Sequence, residues 1–196
     1  MIGINQICWS ATHMKSIISA LLIAMLLVPS FATAEIYKLA VPSDKGIELC
    51  WWPVMQPIAG WSHDEGASRA NHINAFVPNG SSFSDAPAII YARAMFKPRI
   101  PDTKSLNQLI TDDRKTFEDD LPGVRVIELA PISDSSGSKF RYFSFTPSGA
   151  GNWERVAYAE EGEFYLIFTV SGTSSATLLH AQRDFEKWVS AYKPGP

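Results

Sequence analysis

Histidines, carboxylates and a single mature-chain cysteine are the groups in this chain whose types and spacing could do chemistry. The densest polar stretch is His63-Asp64-Glu65, with Arg69 and His72 just downstream. Imidazole and carboxylate together suit zinc, so His63, Asp64 and His72 define one reading, a metal-dependent hydrolase with Glu65 as a further carboxylate. The His-x8-His separation matches no established ligand spacing, and HExxH is absent. The same residues also read as a polar loop entering a helix, because Asp64 can cap free amides and Glu65 suits a first turn. Ser62-His63-Asp64 is no triad, since three consecutive residues cannot converge as nucleophile, base and orienter.

Cys50 has four open roles: buried small apolar residue, intermolecular disulfide, metal ligand or nucleophile. Its neighbours Leu49, Trp51 and Trp52 favour burial, because free cysteine packs like a small hydrophobe. A thiol–imidazole pair with His63 or His72 carries no family signature. The acids Asp112, Asp113, Glu160, Glu161 and Glu163 could in principle pair for glycoside hydrolysis. The first two fall on an amphipathic helix and the others crowd a hairpin tip, so they read as solvated faces. His180 falls on the polar face of the last helix. GxSxG, P-loop, dinucleotide and EF-hand patterns are absent.

Aromatic residues give the other signal. Trp51, Trp52 and Trp61 bracket a loop containing Pro53 and Pro57. Adjacent tryptophans on a strand point to opposite faces, and an exposed one is a credible contact residue. Clustered aromatic and polar groups without convergent chemistry favour a non-enzymatic binding or accessory protein. Its expected contact surface is Trp51, Trp52, Trp61, His63, Asp64, Arg69 and His72. The expected partner is a protein or a small ligand, with no cofactor.

Periodicity places the elements around these groups. Apolar spacing at Leu106, Leu109, Ile110, Phe117 and Leu121 predicts a helix over 104–120, capped by Asp102 or Thr103 and ended by Pro122-Gly123. Leu178, Ala181, Phe185, Trp188, Val189 and Tyr192 predict a second helix over 174–192, with Ser171, Thr173 or Ser174 as its cap. Strands are expected over 46–52, 73–77, 88–97, 124–129, 139–146, 153–160 and 164–170, the last two joined at Glu161-Gly162. Residues 53–60, 79–86 and 133–138 read as loops. Short connections imply α+β, a mainly antiparallel sheet covered by two amphipathic helices.

Met14 to Ala34 (MKSIISALLIAMLLVPSFATA) has the form of a secretory signal peptide. Lys15 gives the positive end, Ile17 to Val28 the apolar core, and Ala32-Thr33-Ala34 the small residues at the cleavage point. Met14 is therefore the expected start, 1–34 the expected leader, and 35–196 a single globular domain in the periplasm or outside the cell. Glu35, not cysteine, follows the cleavage point, so no membrane anchor is expected after cleavage. Without Lys15 the chain has 16 basic and 20 acidic residues, a net charge of −4. That balance, with no basic run, argues against nucleic acid and anionic lipid. Cys50 would be the mature chain's one thiol, so no internal disulfide is possible.

Element order over Gly46 to Lys193, size and export resemble the PsbP-like α/β/α sandwich, also found in small secreted bacterial proteins. The stretch GWSHDEGASRANHINAFVP, Gly60 to Pro78, resembles a segment of uncharacterised secreted bacterial proteins. The PsbP-like resemblance implies a non-catalytic binding or assembly role and transfers no ligand residues.

Overall fold

Alternating and doubly buried strands build a nine-stranded antiparallel sheet with a helix across each face. The computed structural model describes residues 36–43 and 46–195, which belong to the unit Thr33–Pro196. The expected leader, 1–34, and Cys8 lie outside the described residues. Among the described residues no helix is long and apolar enough to cross a membrane.

The strands are β1 (Ile36–Ser43), β2 (Gly46–Pro53), β3 (Trp61–His63), β4 (Asn74–Pro78), β5 (Ala88–Phe96), β6 (Arg125–Ser133), β7 (Lys139–Thr146), β8 (Trp153–Glu161) and β9 (Phe164–Gly172). The helices are α1 (Glu65–Asn71), α2 (Leu106–Asp120) and α3 (Ser175–Ser190), with a 3₁₀ turn at Lys97–Arg99. The main strand order is β1-β2-β5-β9-β8-β7-β6. β9 is buried on both sides, because both sheet faces are covered where it runs.

On one face α3 buries Leu178, Ala181, Phe185, Trp188 and Val189, with Tyr192 just past its end, against Phe76, Ile90, Phe140, Phe168 and Val170. Ala88, Ala92, Ala94 and Ala157 keep the sheet low there and admit the large rings of α3. Gly172 is required at the crossing, since a Cβ there would lie 2.6 Å from Leu178 N. On the other face Leu109 and Ile110 of α2 meet Phe143, Phe145, Val156, Tyr158, Tyr165 and Ile167.

Among the described residues there are three helices, one more than the two amphipathic ones: α1 is seven residues long, too short for an apolar period to show. β1 and β3 were not expected. The cap of α2 is Ser105, whose side chain accepts from Gln108 N at 3.2 Å, not Asp102 or Thr103. Ser174, one of the three expected caps, does cap α3, in a reciprocal arrangement with Thr177. β6 runs beyond Leu129 to Ser133 because a bulge between Leu129 and Ile132 absorbs Pro131.

One topological feature positions the site. β2 and β4 share the same edge of β5 in succession: Trp51 pairs with Ala94, then Asn74 with Ala92. The chain leaves the sheet at Pro53, makes the loop 54–60, β3 and α1, and returns as β4. Asn74 Nδ2 donates to Pro53 O at 3.0 Å and closes the splice. The inserted segment and the β1–β2 hairpin then form two walls.

Candidate functional site: a cleft at the split sheet edge

A cleft of about 470 Å³ opens between those walls. Its apolar lining comes from Leu39 on β1, Trp52 on β2, Val54, Met55 and Pro57 in the loop, and Phe76 on β4. Its polar lining is Tyr37, His63, Glu65, Ser68, Arg69 and Asn74. Tyr37 and Val54 are exposed despite their size. Large apolar side chains left open beside a concave apolar wall mark a contact site more than packing does.

Ser68 on α1 organises the polar wall. Its hydroxyl donates to Asp64 O at 2.7 Å and accepts from Ala75 N at 2.9 Å. His63 Nε2 lies 3.0 Å from the same oxygen. A hydroxyl has one proton. With that proton on Asp64 O, the His63 contact requires Nε2 to donate, leaving Nδ1 as an acceptor. Ser68 is fully buried and fully engaged, so this serine–histidine pair fixes a ring and offers no nucleophile. His63 also lies against Phe76, ring centres 5.3 Å apart. At the rim Arg69 donates to Glu65 Oε1 from Nε at 3.1 Å and from Nη2 at 2.8 Å. That guanidinium holds the Glu65 carboxyl below its usual range.

The structure distributes the expected contact residues over three places. Trp52, His63 and Arg69 meet in the cleft. Trp51 points to the opposite side of β2 and lines a smaller pocket of about 210 Å³ with His72. Asp64 and Trp61 hold the fold. Asp64 Oδ1 accepts from Ala67 N at 2.9 Å as the α1 cap, and Oδ2 accepts from Phe83 N at 3.1 Å. Trp61 is buried, its indole N–H donating to Asp184 on α3 at 3.1 Å.

The same geometry does not bring His63, Asp64 and His72 together as a set of metal ligands. Both Asp64 oxygens receive backbone N–H groups, His63 turns to Ser68, and His72 faces Glu48, Nδ1 to Oε2 3.8 Å. Among the described residues no three His, Cys, Asp or Glu side chains gather at ligand distance. Cys50 is buried, its thiol donating to Leu39 O at 3.8 Å, and burial pushes the thiol's pKa up. It is thus a protonated side chain, unlike an activated nucleophile.

Sequence reading missed Tyr37, Leu39, Met55, Asn74 and Phe76, which reach the cleft only through long-range pairing. It also missed a polar seam under α2. Glu154 of β8 is 9% exposed. Burial pushes its carboxyl up to about 7, Ser171 beside it offsets part of the rise, and Asp113 of α2 adds to it. Tyr158 OH donates to Asp113 Oδ2, and Arg93 of β5 lies 3.9 Å from Oδ1. Burial raises the Tyr158 and Tyr91 phenols, with Asp113 next for Tyr158 and Glu154 next for Tyr91. Asp113, read from sequence as solvated, instead faces the sheet. None of Glu154, Tyr158 and Tyr91 lines the cleft or the smaller pocket.

No family model matches the chain, and no curated protein matches it. Among solved structures, it is similar to the crystal structure of a protein of unknown function from Pseudomonas aeruginosa. That likeness has 16% identity and a TM-score of 0.48, covering 84% of this chain and 99% of the other. It is also similar to the solution structure of cyanobacterial PsbP (CyanoP) from Synechocystis sp. PCC 6803. There the identity is 12% and the TM-score 0.44, over 86% of this chain and 96% of the other. The likeness to PsbP is weak and one of architecture alone.

Proposed function

We propose that this chain is a non-enzymatic binding protein that works outside the cytoplasm, in the periplasm or released from the cell. The export signal read at 14–34 supports the location. The cleft supports the activity, and its combination of exposed Tyr37 and Val54 with an apolar floor carries the reading. A cavity of about 470 Å³ suits a small molecule with an apolar body. Trp52, Met55 and Phe76 would cover that body. His63 Nδ1 would accept a hydrogen bond from its polar end, and the Glu65–Arg69 pair would face its solvent side. Nothing in the cleft is arranged as nucleophile, base and oxyanion donor together, so the ligand would be held and released unchanged.

A thermal-shift screen of small amphipathic molecules from periplasmic extract tests this. A ligand at one hundred times its Kd should stabilise by about 2.7 kcal/mol, a rise of about 5–10 °C in Tm for a domain of this size. Val54→Asp, at the exposed rim, should keep the fold and lose the rise. An equal rise in Val54→Asp would place the ligand elsewhere.

A further inference from the structure

The smaller pocket on the far side of β2 has a different character. It is lined by Leu49, Cys50, Trp51, His72, Arg93, Ala94, Met95, Phe96, Arg99 and Ile100, with a volume of about 210 Å³. Its charged or chargeable lining is His72, Arg93 and Arg99, together with the protonated Cys50 thiol; no acidic side chain lines it. The sequence has no basic run, so the fold alone gathers these three groups, from the end of α1, from β5 and from the 3₁₀ turn. Acids flank the pocket without closing it. Glu48 lies at ion-pair distance from His72, 3.8 Å, and Asp113 from Arg93, 3.9 Å, both longer than a direct hydrogen bond, while Arg99 has no such acidic partner among these contacts. Arg99 stands over the Trp51 ring, 4.9 Å from its centre, and uses one N–H on Leu49 O at 3.2 Å. A guanidinium carries five donors, and Arg93 and Arg99, each with donors beyond those contacts, both line the pocket.

His72 ends α1 in the left-handed region, φ +58° and ψ +37°, and is the one non-glycine residue with positive φ among the described residues. Glycine is the ordinary occupant of such a helix end. A histidine there carries backbone strain, and its side chain stands at the pocket wall.

We infer that this pocket binds a small oxyanion, carboxylate or phosphate, attached to a short apolar body, with Arg93, Arg99 and His72 on the anion. Leu49, Met95, Phe96 and Ile100 take the apolar body. Arg99, already ordered on Trp51, presents its fork with little further loss of side-chain freedom. The site is separate from the cleft and does not depend on the function proposed for it.

Calorimetric titration of the protein at low salt tests the site with three probes: benzoate, phenyl phosphate and the neutral benzamide. At least one of the anions should bind, with benzamide about tenfold weaker or more, since a hydrogen bond to a charged group discriminates on that scale. The better of the two anions identifies the headgroup. Arg99→Gln should weaken anion binding about tenfold, and Arg93→Gln with Arg99→Gln should remove it. His72→Gly should weaken it while raising Tm, because glycine relieves the left-handed backbone. Val54→Asp in the cleft should leave it unchanged. Benzamide binding as well as the anions, anion binding that survives the double substitution, no binding by either anion to the folded wild type, or His72→Gly with binding intact would overturn the proposal.

Discussion

The cleft and the seam under α2 are two polar regions built to opposite ends. The cleft keeps its polar groups at an open rim, where Arg69 and Glu65 satisfy each other in solvent and His63 is steadied by a buried serine. The seam takes a carboxyl and two phenols out of water, and each shifts upward because of burial. Shifted titratable groups often mark active sites, and by that guide alone the seam would be the site. Its groups have no cavity among those described, and Asp113 is occupied in tying α2 to Tyr158. The difference teaches that a buried, perturbed cluster can be a fastening, whereas a region meant for a ligand leaves apolar surface uncovered.

The comparison can be broken or sharpened by substitution. The largest effect is expected at Phe76, which floors the cleft and also packs edge-on against Trp188 at 5.3 Å. Phe76→Ala should cost about 3–5 kcal/mol in urea unfolding, as truncation of a buried aromatic does. A cost under about 1 kcal/mol would mean that the cleft floor is not core.

Next comes the pH response of the seam. Glu154 titrates near 7 in the folded protein against an ordinary 4.5. Between those values the folded state holds a proton that the unfolded state has released, so this group's stabilising contribution is full below about 4.5. It is lost as pH rises through about 7. Glu154→Gln should therefore gain about 3 kcal/mol over wild type at pH 8 and nothing at pH 4. A pH-independent difference between the two proteins would remove the buried-acid account. Tyr158→Phe leaves Asp113 without its phenol donor and should cost about 1–3 kcal/mol, with amide exchange in α2 accelerated more than in α3. Equal acceleration in both helices would show that the seam does not fasten α2 in particular.

The smallest effect is expected from His72→Gly, a stabilisation of about 1 kcal/mol or less from relief of the left-handed backbone. Destabilisation would mean that the imidazole's contact near Glu48 outweighs the strain.

How much the sequence disclosed follows from the range of each interaction. α2, α3 and the β8–β9 hairpin were legible because their signals are local: apolar residues at helical spacing, Pro122-Gly123 as a stop, Glu161-Gly162 as a turn. The Asp64 cap was legible for the same reason. β1 was not, since its half-exposed residues show no clean alternation and its place is fixed by pairing with β2. The cleft depends on β2 and β4 meeting the same edge of β5, a pairing between distant segments that no local pattern encodes. Trp51 and Trp52 were correctly expected on opposite faces, yet only the fold shows that one faces the cleft and the other the basic pocket.

The indole N–H signals of Trp51, Trp52, Trp61, Trp153 and Trp188 offer the most direct test of the cleft as the ligand site. On titration with a ligand from the thermal-shift screen, the Trp52 signal should move first and furthest. Trp61 and Trp188, whose N–H groups are bound to Asp184 and to Gln56 O, should stay in place. Movement of Trp61 or Trp51 with Trp52 silent would contradict the account and put the ligand on another face.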